Sequence, residues 1–477
     1  MSLVHQLLFD KLDELLFREI PCDNFEKEYW DSVFQHCISP FIKGIRDVNR
    51  IINVYRFKYG LMHNETNCID LLALTTFQIC APSIFNWIYH NEERVIGSSY
   101  GIGMTGIEQN KTKNILLEEF KGVYETSPEL MLQAIQTLFP KFSWSSGGYS
   151  HQCETDEELR KKQKIACSTR FPLYFNLSLE NIAITKQQII ESINNYDYTD
   201  LKSFFAKLTF EDQLYEYMQE LISYVSDIPT QRLSIFLKVL VEAQTVEKNY
   251  EHKGIFAPIP AYKCMKCCWA IFQRLGHDQT EKEIISILES SSLDEFSVIV
   301  GMIVSIERSY SRIGDSLGHD YRVVEEKQLD NIEESIKNKL ELLSKEHNLL
   351  DAYAFWNIYH IWNYIDRESM NNYLKESLKT ASNVPKYLSI VAISWNGSND
   401  SGWSFKEENF SDGITLETAY EQIVNLKCTI EFSELKFEVK EMAIAFYLWY
   451  NTDRKDKTKV SKQTVDELIP QWEKQSN

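Results

Sequence analysis

Glycine and proline are scarce, 17 and 11 in a chain of 477 residues. Such a chain has little material for tight turns and favours long helices over strands. No window reaches the ~20 uninterrupted apolar residues of a membrane span. Residues 71–88 come nearest and are interrupted by Gln78, Pro82 and Asn86. The first residues run straight into an amphipathic stretch carrying Asp10 and Lys11, so no signal peptide is expected. Positive charge is in deficit: 50 Lys and Arg stand against 69 Asp and Glu, a net charge of −19. That speaks against a general nucleic-acid surface, which needs a positive field, although a local basic groove can exist inside a negative shell. The ten cysteines are irregularly spaced and do not read as a disulfide framework, which suits a reducing cytosol.

Catalytic signatures are missing as well. There is no Gly-x4-Gly-Lys-Ser/Thr and no apolar strand ending in Asp, so nothing cradles nucleotide phosphates or places Mg2+. By itself the chain is not expected to hydrolyse ATP, and whether it has any enzymatic role stays open. The run Gly101-Ile-Gly103-Met-Thr-Gly106 has no strand before it and no lysine in register, so it reads as a loop. No Gly-x-Ser-x-Gly occurs. Cys264, Cys267 and Cys268 fall on one helix face without a second ligand pair, which points to buried thiols over a zinc site. Asp315, His319 and Asp320 are interleaved with Gly314, Ser316 and Gly318 and read as a polar loop. The aromatic region with Tyr353, Trp356, Tyr359, Trp362, Tyr364 and Trp395 is placed in the core in preference to a base-stacking surface.

What is present is ample apolar material, 44% hydrophobic with 13% aromatic residues, so the chain is expected to fold. Its length implies two to four domains or a continuous helical array. Amphipathic helices are predicted at 4–16, 24–37 and 46–59. Asn67 caps the next helix, with Asp70 standing in as the capping-box acid, and Pro82 breaks that helix. Ser127-Pro128-Glu129 opens a helix running through Phe139, residues 152–164 read as charged and exposed, and three helices are expected over 185–244. Beyond a boundary at Pro258 and Pro260, helices at 264–275, 280–289, 293–306, 325–345, 351–364 and 369–379 form an array without a strict period. Residues 428–432 and 435–439 alternate weakly and suit either strand or helix, and the last helix, 441–450, is followed by a charged tail.

The most informative stretch is residues 39–60. Wound at ~100° per residue, Val48, Ile51, Ile52, Tyr55 and Tyr59 form a core-facing stripe, and Arg46, Arg50 and Asn53 line up on the other side. Gly44 loosens the entry, and Asp47 in the first turn suits the helix dipole. Three donors in one line can hold a polyanion such as a nucleotide phosphate. They can equally be the solvated face of an amphipathic helix.

Here a family resemblance enters. Arg46-Asp47-Val48-Asn49-Arg50 with Asn53, followed by Asp70-Leu71-Leu72-Ala73-Leu74, resembles the lid of the KAP family of P-loop NTPases, where a Thr-Pro-Arg-Asp-Val-Lys-Arg-type run opens a helix ending in Asn. Phe77 and Ala81-Pro82-Ser83-Ile84-Phe85 resemble the family's Phe-Glu-Pro-Glu-Leu-Tyr run, and residues 167–179, with Arg170, Phe171, Tyr174 and Phe175, resemble the signature that follows the lid. Gly44-Ile45 replaces the family's Thr-Pro, and Ala81 replaces an acid. The resemblance implies a mainly α protein: a lid-like helical domain at 1–140, a helical extension carrying the signature at 141–260, a helical array at 261–395 and a mixed or helical segment at 396–477, with little or no sheet. It implies the regulatory or sensor part of a KAP-type NTPase whose P-loop core is missing or encoded elsewhere, since the chain opens on a helix like the tail of something longer. Arg46 would reach a bound nucleotide, with Arg50 and Asn53 beside it. ATP with Mg2+ would be bound only with a P-loop core domain or subunit as partner, and otherwise no cofactor is expected. A protein partner would sit on the helical array. The location implied is cytoplasmic, with membrane association only through a missing N-terminal part, and the family association is with phage defence. The competing reading is a nucleotide-free helical scaffold for protein–protein interaction.

Overall fold

Helix starts are where local sequence dictates structure most directly. Asn67 accepts from the backbone N–H of Ile69 at 3.0 Å and of Asp70 at 3.3 Å, opening helix Cys68–Cys80. Thr155, Thr185, Asp197 and Ser292 each form a reciprocal box with the residue three positions on. Ser127 and Pro128 open helix Pro128–Leu138. These side chains satisfy N–H groups that the helix itself leaves unpaired. Pro82, with no N–H to give, ends one helix and begins the next, Pro82–His90.

The computed structural model describes residues 3–22, 25–97, 106–124, 127–147, 154–178, 180, 182–245, 259–397, 400–410, 413–452 and 460–474. Within them the chain is mainly helical, with a three-stranded sheet. It divides into two units, Met1–Arg232 and Leu233–Asn477. The glycine-bearing run from Ser98 to Thr105, and Pro258, lie outside the described residues.

In the first unit, helix Cys68–Cys80 is the hub. Ten of its thirteen residues are buried, so it has no solvent face and must be wrapped by neighbours. Helices Ile45–Met62 and Pro82–His90 pack on it, as does the short helical turn Phe34–Ile38. Leu8, Val33, Ile51, Leu71, Phe77 and Ile135 belong to the common core. Asp70 does not serve as a capping acid. It is buried, and its carboxylate accepts from the Tyr29 hydroxyl and from the Ile165 N–H, the latter at 2.8 Å. A carboxylate turned inward cannot also reach back to its own helix start. Burial pushes the Asp70 carboxyl up, with Lys164 and the two hydrogen bonds pulling the other way. The stretch 152–164, expected to be exposed, is so only in part: residues 155–158 are exposed, 152 and 153 lie outside the described residues, and the rest turns partly inward. Helix Asp156–Lys161 turns Arg160 inward, and Gln163 and Lys164 are buried after it. Helical phase and partners, not charge count, decide this.

The pivot of the unit is Arg170. Its guanidinium is 1% exposed and donates to Glu65 at 2.6 Å and to Glu220 at 2.7 Å. Arg160 lies 3.4 Å from Glu220. Glu65 also accepts from the Lys186 N–H at 2.9 Å, at the start of helix Lys186–Asn195. Tyr174, four residues on, donates to the Gln163 carbonyl at 2.6 Å and accepts from the Asn67 N–H at 2.8 Å. Four helices, not three, cover 185–244: Lys186–Asn195, Tyr198–Phe210, Leu214–Tyr224 and Leu233–Gln244, the last in the second unit.

In the second unit, Leu233–Gln244 packs on Pro260–Leu275, Leu293–Ser309 on Phe355–Ile365, and Asn383–Val391 on Phe437–Tyr450. Cys264, Cys267 and Cys268 are all buried on one face of their helix. Trp362 is buried as expected, whereas Trp356 is half exposed. The antiparallel strands are Ile393–Asn396, Ser401–Ser404 and Val460–Ser461, with Trp395 opposite Gly402 and Trp403 opposite Val460. The weakly alternating stretches at 428–432 and 435–439 take the helical alternative, leading into Ile430–Glu434 and Phe437–Tyr450. The charged tail contains a further helix, Lys462–Trp472, whose Val465, Ile469 and Trp472 are buried, so residues 441–450 do not form the last helix. Gly402 is required where strands meet closely, because a Cβ there would collide with the Val460 carbonyl. Glu307 is fully buried on helix Leu293–Ser309, 3.4 Å from Arg312, which also pairs with Glu333 at 2.9 Å. Burial first, then the neighbouring Glu333 against the pull of Arg312, pushes the Glu307 carboxyl up to about 8.

Two outcomes follow. Arg170→Met leaves Glu65 buried without a counter-charge and Glu220 with Arg160 alone, so the first unit loses about 3–5 kcal/mol, read as a fall of roughly 6–20 °C in its thermal midpoint. Adding Glu65→Gln restores most of that loss, because Glu220 keeps Arg160 as its partner. Glu307 binds its proton more tightly folded than unfolded, so its contribution is fully present below pH ~4.3 and is lost as pH rises towards about 8. Thermal unfolding of Glu307→Gln between those limits should show a shallower decline with pH than the parent chain.

Candidate functional site

Helix Ile45–Met62 enters from Gly44, whose φ of −171° is extended backbone open to any residue, so the glycine is not needed for the turn. The start is fixed by Asp47, whose carboxylate accepts from the Lys43 N–H at 3.0 Å, in keeping with its place at the positive end of the dipole. Val48, Ile51, Ile52, Tyr55 and Tyr59 are buried, as the periodicity requires. Tyr55 and Tyr59 stack at 5.4 Å between ring centroids, and the Tyr55 hydroxyl donates to the Cys68 carbonyl at 3.0 Å. The helix is therefore held along its length against the hub.

Arg46, Arg50 and Asn53 are all exposed on the opposite side. Among the described residues no side-chain hydrogen bond or ion pair engages any of the three. The same line continues along the helix as Phe57, 65% exposed, and Leu61, 52% exposed. The outer face is thus cationic at its N-terminal end and apolar at its C-terminal end, a feature the sequence reading missed because it stopped at Asn53. Arg50 also lies within electrostatic range of Cys80 at the end of the hub helix. Burial pushes that thiol up and Asp47 adds to it, while Arg50 and Lys43 oppose them.

Residues 46–53 and 170–174 lie in different surroundings. Arg170 and Tyr174 bond to Glu65 and Asn67, just past the C-terminal end of Ile45–Met62. Arg46 is at the other end, sixteen steps or ~24 Å from Met62 along the axis. Arg170 and Tyr174 brace the helix from its far end and take no part in the surface that Arg46 forms. Lys58 was also overlooked by the sequence reading. It points into the packed side, 5.7 Å from the Phe85 ring centroid, and burial pushes its ammonium down to about 8.

A polar cleft of about 920 Å3 lies elsewhere in this unit, with Tyr29, His36, Lys113, Lys162 and Lys164 in its walls. Lys162 pairs with Glu26 and Glu154, each at 2.6 Å, and Lys164 with Glu26 at 3.1 Å. Two of its lysines are thus already neutralised, which makes the cleft a poorer anion site than the open arginine face. Among the described residues no cluster of His, Cys, Asp and Glu is arranged to hold a metal ion. No family model, no curated protein and no solved structure matches the chain.

Lys58 gives a test of how firmly this helix is seated. Its folded pKa lies below the unfolded value of ~10.4, so folding favours the neutral amine and stability rises with pH between about 8 and ~10.4. Lys58→Met should flatten that rise in a series of thermal midpoints.

Proposed function

We propose that the chain is the lid and regulatory part of a KAP-type P-loop NTPase, a nucleotide-dependent switch that does not hydrolyse ATP alone. The observation that carries the reading is the unengaged line Arg46–Arg50–Asn53 on a helix whose other side is fully packed. Rigid seating matters, because donors fixed in place lose little freedom on meeting a phosphate. These residues fit one side of a nucleotide site and no more. They can face a triphosphate, while the cradle and the Mg2+ ligands belong to a P-loop core that this sequence does not contain.

In this reading Arg46 faces the terminal phosphate, Arg50 and Asn53 flank it, and closure of the lid on the core depends on the nucleotide bound. The second unit is the partner-binding or sensing half. A role in phage defence follows only from the family association. No helix among the described residues is long and apolar enough to cross a membrane. The second reading, a nucleotide-free scaffold, draws on Phe57 and Leu61, whose exposure on the same face suits a protein partner.

Nucleotide binding separates the two. Alone, the purified chain should bind ATP very weakly or not at all. With a KAP-type P-loop core supplied in trans or fused ahead of it, binding should appear, and Arg46→Ala should weaken it by ~1.5–3 kcal/mol, roughly 10- to 100-fold. Because Arg46 is exposed, its removal should leave the thermal midpoint nearly unchanged. Undiminished ATP affinity of Arg46→Ala in the restored assembly would remove the lid-arginine assignment. Indifference to any P-loop core would leave the scaffold.

A further inference from the structure

Cys22 follows the first helical segment, and Cys68 is the first residue of the hub helix. Their sulfurs are 2.8 Å apart, Cys22 donating to Cys68. That is within 1 Å of the ~2.05 Å of a disulfide bond. The two residues are 46 positions apart, and between them run helices Lys27–Val33 and Ile45–Met62. Cys68 is buried, while Cys22 is half-buried. Both line a cleft of about 530 Å3 together with His63, Asn64, Lys162 and Lys186, so a small reagent in the cleft meets Cys22 first. The remaining cysteines among the described residues do not share this arrangement. Cys264, Cys267 and Cys268 sit on one turn of helix and are all buried, so none of them is open to a reagent in the way Cys22 is.

We propose that Cys22 and Cys68 are a thiol–disulfide switch, closed by a low-molecular-weight disulfide, that staples the seat of helix Ile45–Met62. In the first step the Cys22 thiolate attacks one sulfur of the reagent, forming a mixed disulfide and releasing one small thiol. In the second, Cys68 gives up its proton and attacks the Cys22 sulfur, releasing the second small thiol. Two protein thiols are oxidised to one disulfide, and one reagent disulfide is reduced to two thiols. The order follows from the geometry. The Cys68 thiol is pushed up first by its bond with Cys22, then by burial, and the first contribution disappears once Cys22 is held in the mixed disulfide. The bond would tie the residue after the first helical segment to the residue whose carbonyl accepts from Tyr55. It would thereby lock the side of the basic helix that faces the hub.

The test uses the full chain and oxidised glutathione, and it does not depend on nucleotide. After incubation and alkylation, peptide mass mapping should find a linked pair containing Cys22 and Cys68, and dithiothreitol should remove it. The thermal midpoint of the oxidised chain should rise by roughly 5–10 °C. Cys22→Ser, at a half-exposed position where the fold is retained, should lose both the linkage and the shift. A stable glutathione adduct on Cys22, a linkage to another cysteine, or both thiols still open to alkylation would each overturn the proposal.

Discussion

The buried pairing of Arg170 with Glu65 and Glu220 is the constraint on which the first unit depends. One guanidinium fixes three elements at once: the turn after Ile45–Met62, the segment leading to its own short helix Phe171–Asn176, and helix Leu214–Tyr224. Ion pairs this deeply buried add little net stability compared with apolar packing, but they are costly to break halfway. Their effect is to select one arrangement of neighbouring helices. Asp70 and Tyr174 extend the same polar seam to the cap of the hub helix.

That seam explains why the outer face of Ile45–Met62 can be left open. The helix is held by a stripe of apolar residues on one side and by polar bonds just past its C-terminal end, so nothing on the Arg46 side is needed for folding. Surface cations that the fold does not use are free for a partner's phosphates or carboxylates. Phe57 and Leu61 on the same line add an apolar end to that face. The second unit contrasts with this. Its polar strain is internal, concentrated where Glu307 is buried beside Arg312 and Glu333, and it bears on pH response more than on recognition.

Much of this was legible in the residues where the determinant is local. The Asn67 cap, the Pro82 break and the Ser127-Pro128 start depend on side chains within a few positions of the backbone groups they satisfy. The stripe from Val48 to Tyr59 follows from helical period alone. The misreadings share a cause. Asp70 looked like a capping acid, and residues 152–164 looked exposed, because the partners that bury Asp70, Arg160 and Lys164 lie far away in sequence. Helix Lys462–Trp472 was hidden by the charges ahead of it, and the short strands at 393–396 and 401–404 are set by antiparallel pairing with each other.

A mainly helical chain and the two faces of Ile45–Met62 follow from composition and period alone, because these are properties of neighbouring residues. Which charges are buried, that Arg170 braces the unit while Arg46 faces outward, and that Cys22 meets Cys68 all emerge only when the helices pack together. Those outcomes depend on contacts between residues far apart in sequence, 41 positions for Tyr29 and Asp70 and 138 for Glu26 and Lys164, whose desolvation and pairing are fixed when helices dock and not before.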